Sequence, residues 1–253
     1  MKPELLQESA ITSALSDGYW RVSVIDEVDS TQNYLRTSNP KIGNVITAEY
    51  QSEGRGRLDR KFEATKSSAL LFSLFIGPKR DSSELGFLTL LIGATIAKVL
   101  NEITKTELFN CKWPNDILCN QRKIAGILAE RNESGVIIGV GINVSTERGE
   151  LPVSHASSIF LETGQIIDRN YLLATILNTL RLQLSDWEAG LDLTDTYRSL
   201  SSTLGQSVRI LLPGGASIES IASDIDATGA LHLVDGQIIT VGDVIHLDSK
   251  LAQ

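Results

Sequence analysis

Apolar positions divide most of the chain into strands and helices. Residues 69–76 are nearly all apolar, which is typical of a strand buried on both faces. Over residues 168–185, leucines and isoleucines recur at helical spacing, with Asp168 as a candidate N-cap. The same patterns predict a helical lead-in over 1–20, strands over 21–25, 44–49, 108–113, 117–119, 123–130 and 136–144, and helices over 32–37, 82–103 and 191–201.

The pattern changes after Gly205. Five short apolar segments follow, separated by turns rich in glycine, aspartate and proline, as in a small β-barrel. Upstream, three closely spaced turns between residues 114 and 135 indicate antiparallel strands. We therefore predict an α+β protein, with a mixed or antiparallel sheet and helices over residues 1–203 and a small β-barrel over residues 204–253.

The composition is that of an ordinary soluble globular protein, with 42% hydrophobic and 21% charged residues among 253. A net charge of −8 disfavours non-specific nucleic-acid binding. The longest apolar stretch, residues 85–100, contains glycines, threonines and a lysine, and predicts a buried helix rather than a membrane span. Two cysteines, Cys111 and Cys119, and a first segment unlike a secretory signal favour a reduced, cytoplasmic protein.

A basic loop, residues 54–62, follows the strand that ends near Glu49. Its arginines and lysine stand beside glycines. Glycine allows the backbone to approach a ligand closely, and arginine offers a planar fork to phosphate or carboxylate oxygens. The pattern indicates a loop that binds a small anion, although a solvated basic turn has the same composition. Asp29-Ser30-Thr31 also has two interpretations. It could be the N-cap of the following helix, or a turn that presents hydroxyl groups to a ligand.

Several familiar chemistries lack their sequence signatures. There is neither a P-loop nor a Gly-x-Ser-x-Gly elbow, and three scattered histidines disfavour a zinc site or a Ser-His-Asp triad. Lys112 precedes a Pro-Asn-Asp turn, and Lys123 begins a strand that contains Ala125-Gly126. Together with the basic loop, these lysines favour a nucleotide site that stabilises phosphoryl charge without a covalent nucleophile.

The resemblance to a known family is carried by short motifs in a fixed order. With Asp29-Ser30-Thr31 they resemble the bacterial biotin–protein ligases, from about Val22 to the end of the chain. The resemblance implies a class II synthetase-like core and an SH3-like C-terminal barrel. The motifs are Gln51-x-x-Gly54-Arg55-Gly56-Arg57, Lys112-Trp113-Pro114-Asn115-Asp116, Arg122-Lys123-Ile124-Ala125-Gly126-Ile127-Leu128 and Gly139-x-Gly141-Ile142-Asn143.

The resemblance implies a reaction in two steps. The carboxylate of biotin attacks the α-phosphate of ATP, with Mg²⁺, to give biotinyl-5′-AMP and pyrophosphate. A lysine of a biotin carboxyl carrier protein, a domain of acetyl-CoA, acyl-CoA or pyruvate carboxylase, then attacks the acyl adenylate and releases AMP. Because the carrier supplies the nucleophile, a Ser-His or Cys-His pair is not expected in this chain.

The resemblance also implies residue roles, carried over by position. Lys123 and Arg57 are the expected catalytic residues, and Asp116 is the expected metal ligand. The residues expected at the nucleotide are Arg57, Arg60, Lys112, Asn115 and Asn143. The residues expected at biotin are Ser30, Thr31, Gln32, Gln51, Gly54, Arg55, Gly56, Arg57, Lys123 and Gly126.

The chain departs from the family pattern at several positions. Gln32 stands where asparagine is usual, and Leu58-Asp59 replaces an Arg-Gly pair in the basic loop. Phe62 stands where tryptophan is common, and Ser67-Ser68 where glycine is common. We expect different loop-ordering energetics rather than loss of activity. The ligase core begins by about Arg21, so we expect no DNA-binding module within this chain; a homodimer remains open.

Two alternative functions are weighed against the ligase. Lipoate–protein ligases and octanoyltransferases resemble the same fold, but the first carry an Arg-Arg-x-Ser-Gly-Gly-Gly motif that this sequence lacks. An octanoyltransferase needs an acyl-accepting cysteine, for which Cys111 and Cys119 are loose candidates. A non-catalytic biotin- or nucleotide-binding regulator is the other alternative, and the intact Arg57, Lys112 and Lys123 disfavour it.

Overall fold

The computed structural model describes residues 4–58 and 60–247. Within them, the helices are α1 (Glu8–Ser13), α2 (Thr31–Thr37), α3 (Phe87–Thr104), α4 (Ile159–Thr163), α5 (Arg169–Glu188) and α6 (Thr194–Leu200). The strands are β1 (Arg21–Val28), β2 (Asn44–Gln51), β3 (Ala69–Ile76), β4 (Phe109–Lys112), β5 (Asp116–Cys119), β6 (Arg122–Asn132), β7 (Gly135–Asn143), β8 (Ser207–Leu211), β9 (Ser217–Ile225), β10 (Leu231–Leu233), β11 (Ile238–Ile239) and β12 (Asp243–His246).

Contacts between residues group the chain into two units. The first unit combines Met1–Pro78 with Arg122–Leu182, and the second combines Lys79–Gln121 with Gln183–Gln253. This grouping does not coincide with the domain boundary that the sequence predicts near residue 203. A division into domains 1–203 and 204–253 therefore stays a proposal.

The first unit contains a mixed sheet of five strands in the order β1-β2-β3-β7-β6. β1 and β2 run parallel, whereas β3, β7 and β6 each pair antiparallel with their neighbours. Every residue of β3 is buried, as its apolar sequence predicts. On α2, Leu35 packs with Ile46, Phe75 and Ile137 of the sheet. This contact holds α2 on the sheet and fixes the turn that precedes the helix.

In the second unit, α3 packs against β4 and α6. Asn101 of α3 accepts a hydrogen bond from the backbone N–H of Phe109 and donates to its carbonyl oxygen, both at 2.9 Å. By length and composition α3 could cross a membrane, but 72% of it is buried inside the protein, as expected for a core helix. β4 and β5 form an antiparallel hairpin, and the last five strands form an antiparallel sheet in the order β11-β10-β9-β8-β12.

The predicted α+β class is confirmed, including the small C-terminal β-sheet domain. Two predicted helix starts were wrong, each because a side chain stabilises a short turn before the helix. Asp81 accepts a hydrogen bond from the backbone N–H of Ser83 at 2.9 Å, so residues 82–84 form a 3₁₀ turn before α3. Asp192 accepts from the backbone N–H of Thr194 at 2.9 Å, and α6 begins there rather than at residue 191.

Candidate functional site

A buried cluster of hydroxyl and amide groups lies where β1 turns into α2. The backbone N–H and the hydroxyl of Thr31 both donate to Oε1 of Gln51, at 2.7 and 2.9 Å. The Thr31 hydroxyl also lies 2.7 Å from the hydroxyl of Ser73 in β3. Ser30 occupies the N-cap position, but its side chain makes no capping bond within the described chain. Ser30 is thus the N-cap residue of α2 by position, as one of the two interpretations expected, and the hydroxyl of Thr31 belongs to an internal polar cluster.

Gln32 reaches from α2 across the strands β6 and β7. Its amide nitrogen donates to the carbonyl oxygen of Leu128 at 3.2 Å. A Cβ atom added at Gly139 would lie 2.9 Å from Oε1 of Gln32, so the glycine makes room for this amide. Although Gln32 departs from the family pattern, its longer side chain is accommodated here and nearly fully buried.

Two neighbouring strands of the sheet carry facing glycines. Gly126 of β6 lies opposite Gly141 of β7 in the strand register. A Cβ atom at Gly141 would lie 2.7–2.8 Å from three ring atoms of Phe62, so the phenyl ring rests directly on the strand. The predicted site residue Gly126 thus lies beside the strand position that the Phe62 ring covers, and we call the Gly126–Gly141 pair the glycine floor.

The two ends of the basic loop are joined by backbone hydrogen bonds. The backbone N–H of Phe62 donates to the carbonyl oxygen of Gly54 at 3.0 Å, and the N–H of Gly56 donates to that of Arg60 at 2.7 Å. A Cβ atom at Gly54 would lie 2.1 Å from the carbonyl oxygen of Phe62, which explains the need for glycine there. Arg57 lies on this turn. Asp59, part of the Leu58-Asp59 departure, is outside the described residues.

The Arg55 guanidinium is engaged within the protein. It donates to both carboxylate oxygens of Glu130 in β6, at 2.8 and 3.0 Å. Glu130 occupies two of the five N–H groups of this guanidinium, so the predicted contact with a ligand carboxylate would use the others, and that role stays a prediction.

Lys123 and Asn143 are brought together by an irregular segment after β7. The backbone N–H of Lys123 donates to His155 at 2.9 Å, and its carbonyl accepts from Ser157 at 2.8 Å. The amide of Asn143, which is buried, donates to the Ser157 carbonyl oxygen at 2.9 Å. The Lys123 backbone is therefore fixed on both sides, while its side chain is only half-buried.

Three predicted site residues, Lys112, Asn115 and Asp116, belong to the second unit. Lys112 ends β4 and pairs in register with Asp116, the first residue of β5. The connecting turn is supported by Trp113, whose backbone N–H donates to Thr203 at 3.1 Å and whose indole N–H donates to the Gly229 carbonyl at 3.0 Å. This turn has a cis Trp113-Pro114 peptide bond.

His246 of β12 lies against the same turn. Its ring nitrogen is 3.3 Å from the hydroxyl of Thr203. Burial, and then the charge of Lys112, lower the pKa of His246 from 6.5 to about 4. The imidazole is therefore neutral at physiological pH and adds no positive charge beside Lys112.

Among the described residues, no group of three or more His, Cys, Asp or Glu side chains could hold a metal ion. Asp116 offers a single carboxylate. Such a donor set fits Mg²⁺ carried mainly by nucleotide phosphates and water, the usual arrangement for this ion, and does not fit a resident metal centre.

Both cysteines are buried. Burial raises the pKa of the Cys111 thiol to about 12, so the thiolate needed for acyl transfer does not form there near neutral pH. This weakens the octanoyltransferase alternative.

Comparison with known proteins identifies two family models. Residues 24–146 match the biotin/lipoate A/B protein ligase family, and residues 203–247 match the biotin protein ligase C-terminal domain. A biotin–[acetyl-CoA-carboxylase] ligase of Mycobacterium tuberculosis is 35% identical over 98% of this chain and 97% of its own length. The chain belongs to the biotin protein ligase family.

Two further relatives of this ligase family are informative. The bifunctional ligase/repressor BirA of Escherichia coli is 33% identical over 93% of this chain and 75% of its own length. A biotin protein ligase from Aquifex aeolicus, solved in complex with biotin and ATP, superposes with a TM-score of 0.79 at 30% identity, covering 88% of this chain and 97% of that one. The family resemblance drawn from the motifs is confirmed.

Three side chains that contact the predicted site residues were not predicted as site residues from the sequence. Ser73 completes the hydroxyl cluster, Phe62 covers the glycine floor, and Glu130 binds Arg55. Ser73 carried a signal, because it is the one hydroxyl in the otherwise apolar strand β3. Phe62 was noted only as a substitution for tryptophan. Glu130 had no signal, since a glutamate near the end of a strand is common.

Proposed function

We propose that this chain is an ATP-dependent, AMP-forming biotin–protein ligase. The observation that carries the proposal is that one unit contains the buried Thr31–Gln51 cluster, the glycine floor covered by Phe62 of the basic loop, and a Lys123 whose backbone is fixed on both sides. The family relationship supports the same conclusion.

Each part of the site suits a different part of biotin. The ureido ring carries N–H donors and a carbonyl acceptor, and these match the hydroxyl and amide groups of Ser30, Thr31 and Gln51. The apolar ring and acyl chain suit the strand surface at Gly126, which has no side chain, and the aromatic ring of Phe62. The cations of Lys123 and Arg57 suit the carboxylate end, where negative charge develops.

In the proposed first step, a carboxylate oxygen of biotin bonds to the α-phosphorus of ATP as the bond to pyrophosphate breaks. Lys123 and Arg57 offset the charge that builds on the phosphoryl oxygens. Arg60, Lys112, Asn115 and Asn143 are proposed to bind the nucleotide. Mg²⁺ would neutralise phosphate charge when bound, with Asp116 as its protein carboxylate.

In the proposed second step, the ε-amine of a carrier lysine attacks the acyl carbon and AMP leaves with the bonding electrons. We propose that the carrier is the biotin carboxyl carrier domain of an acetyl-CoA, acyl-CoA or pyruvate carboxylase, and that the reaction occurs in the cytoplasm. The name of the Mycobacterium tuberculosis relative supports this class of acceptor.

The test is a transfer assay with a purified carrier domain, ATP and Mg²⁺. Biotin, lipoate and octanoate are supplied in parallel, and the intact carrier is analysed by mass spectrometry. Addition of a biotinyl group, abolished when the acceptor lysine is replaced by arginine, is the expected result. Addition of a lipoyl or octanoyl group with none from biotin would overturn the proposal in favour of the rival enzymes.

A further inference from the structure

Glu130 of β6 binds two arginines from different parts of the first unit. Its carboxylate accepts two hydrogen bonds from the guanidinium of Arg55, at 2.8 and 3.0 Å, and it also pairs with Arg36 of α2. The side chains of Arg55 and Glu130 are 35% and 27% exposed. This fork-to-fork geometry restricts the guanidinium far more than a single ion-pair contact would.

Asn33 extends the network to the turn before α2. Its Oδ1 lies 3.4 Å from a terminal nitrogen of Arg55 and 3.4 Å from one of Arg36. Its amide nitrogen donates to Asp29 at 3.0 Å. Arg55 is thereby connected to β6, to α2 and to the turn that supplies Ser30 and Thr31.

The network acts on the first residues of the basic loop. The backbone groups on either side of Arg55 are hydrogen-bonded within the loop. The carbonyl oxygen of Gly54 accepts from the N–H of Phe62, and the N–H of Gly56 donates to the carbonyl oxygen of Arg60. The Arg55–Glu130 pair attaches the start of the loop to β6 of the sheet. Arg57 follows two residues later on the same turn, so its location depends on this attachment.

We propose that Glu130 is a positioning residue of the biotin site: by holding Arg55 it keeps the basic loop in the conformation that binds the ligand. The inference rests on the proposed function for its kinetic consequence. It assigns to Arg55 a role in ordering the loop, in addition to the ligand contact expected from the family.

The experiment combines a double-mutant cycle with limited proteolysis. Glu130→Ala, Arg55→Ala and the double variant are compared in biotin-dependent pyrophosphate release. Trypsin is used to cleave after Arg57, Arg60 and Lys61 in each full-length protein. Glu130→Gln, which keeps the shape of the side chain, replaces the alanine variant if that variant does not fold. Glu219→Ala is the matched control, because it breaks an exposed Arg–Glu pair with Arg209 (2.6 Å) outside the loop.

We expect Glu130→Ala to raise KM for biotin about three- to tenfold with kcat within about twofold of wild type, because loop order is needed for binding. We expect loop cleavage to accelerate about fivefold, since a loosened loop opens more often. In the Arg55→Ala background the further change in KM should be under about twofold. Glu219→Ala should match wild type in both measurements.

Two results would overturn the proposal. One is an equal rise in KM whether or not Arg55 is present, which would mean that Glu130 does not act through Arg55. The other is wild-type loop cleavage in Glu130→Ala, which would limit the pair to general stability. If wild type itself does not activate biotin, the proposed function fails, and cleavage still decides whether Glu130 holds the loop.

Discussion

At the scale of single residues, the site depends on where side chains are absent. Gly139 and Gly141 leave space that Gln32 and Phe62 fill, at distances too short for a Cβ atom. The floor of the proposed biotin site is therefore made by the strand backbone, and its covering by side chains from α2 and the basic loop. A methyl group at either glycine tests this arrangement directly.

Gly141→Ala should displace the Phe62 ring, because the new Cβ would lie 2.7 Å from its atoms. Overpacking of this kind costs about 1–3 kcal/mol of unfolding free energy. We expect a lower midpoint of thermal unfolding and a higher KM for biotin. Gly149→Ala is the control, since no described atom lies within 4 Å of its added Cβ. An unchanged KM in Gly141→Ala would remove Phe62 from the site.

The residues predictable from sequence were those whose chemistry is unusual for their place in the chain. Arginines beside glycines marked the basic loop, and a run of hydroxyls after a strand marked Ser30 and Thr31. Partners that are ordinary in sequence and become special only by packing, such as Glu130 opposite Arg55, could not be predicted. Contacts between residues far apart in the sequence depend on the fold, so they cannot be inferred from a short motif.

At the scale of elements, the segment after β7 does more than connect it to α4. It fixes the Lys123 backbone on both sides through His155 and Ser157, and it is itself held by the buried amide of Asn143. The sequence predicted no helix or strand between residues 144 and 168, because backbone bonds to a neighbouring strand leave no periodic pattern. By contrast, β3 was predicted with its observed bounds, since a strand buried on both faces has a nearly continuous apolar sequence.

Asn143→Ala should loosen this segment. Loss of the donor to the Ser157 carbonyl leaves a buried acceptor unsatisfied, at a cost of about 1–3 kcal/mol of unfolding free energy. We expect kcat/KM for ATP to fall about tenfold, because a small displacement of a catalytic group lowers the reaction rate strongly. Asn178→Ala, which removes an exposed amide bonded to Ala14 and Ser16, should leave this kinetic constant unchanged. Equal kinetics in the two variants would contradict the proposed role of the segment.

At the scale of the whole molecule, the protein is acidic, with a net charge of −8. The neutral His246 beside Lys112 has a consequence for stability. Below pH 6.5 the unfolded chain binds a proton at this histidine that the folded protein does not bind until about pH 4. Stability from this group is therefore fully present above pH 6.5 and is lost as the pH falls towards 4.

Denaturant unfolding of wild type and His246→Gln at pH 7.0 and 5.0 tests this effect. The wild type should lose more unfolding free energy between the two pH values than the variant. The two proteins share all their carboxylates, so the difference between their losses isolates the contribution of His246. Equal losses in the two proteins would show that His246 titrates normally.

The central claim is that this chain makes biotinyl-5′-AMP in a site that uses Lys123. Its most direct test is pyrophosphate release from ATP and Mg²⁺ with and without biotin, alongside mass spectrometry of the small-molecule product. We predict biotin-dependent release and biotinyl-5′-AMP from wild type, with a loss of about 100-fold or more in Lys123→Ala. No biotin-dependent release from folded wild type, or full activity in Lys123→Ala, would contradict the account.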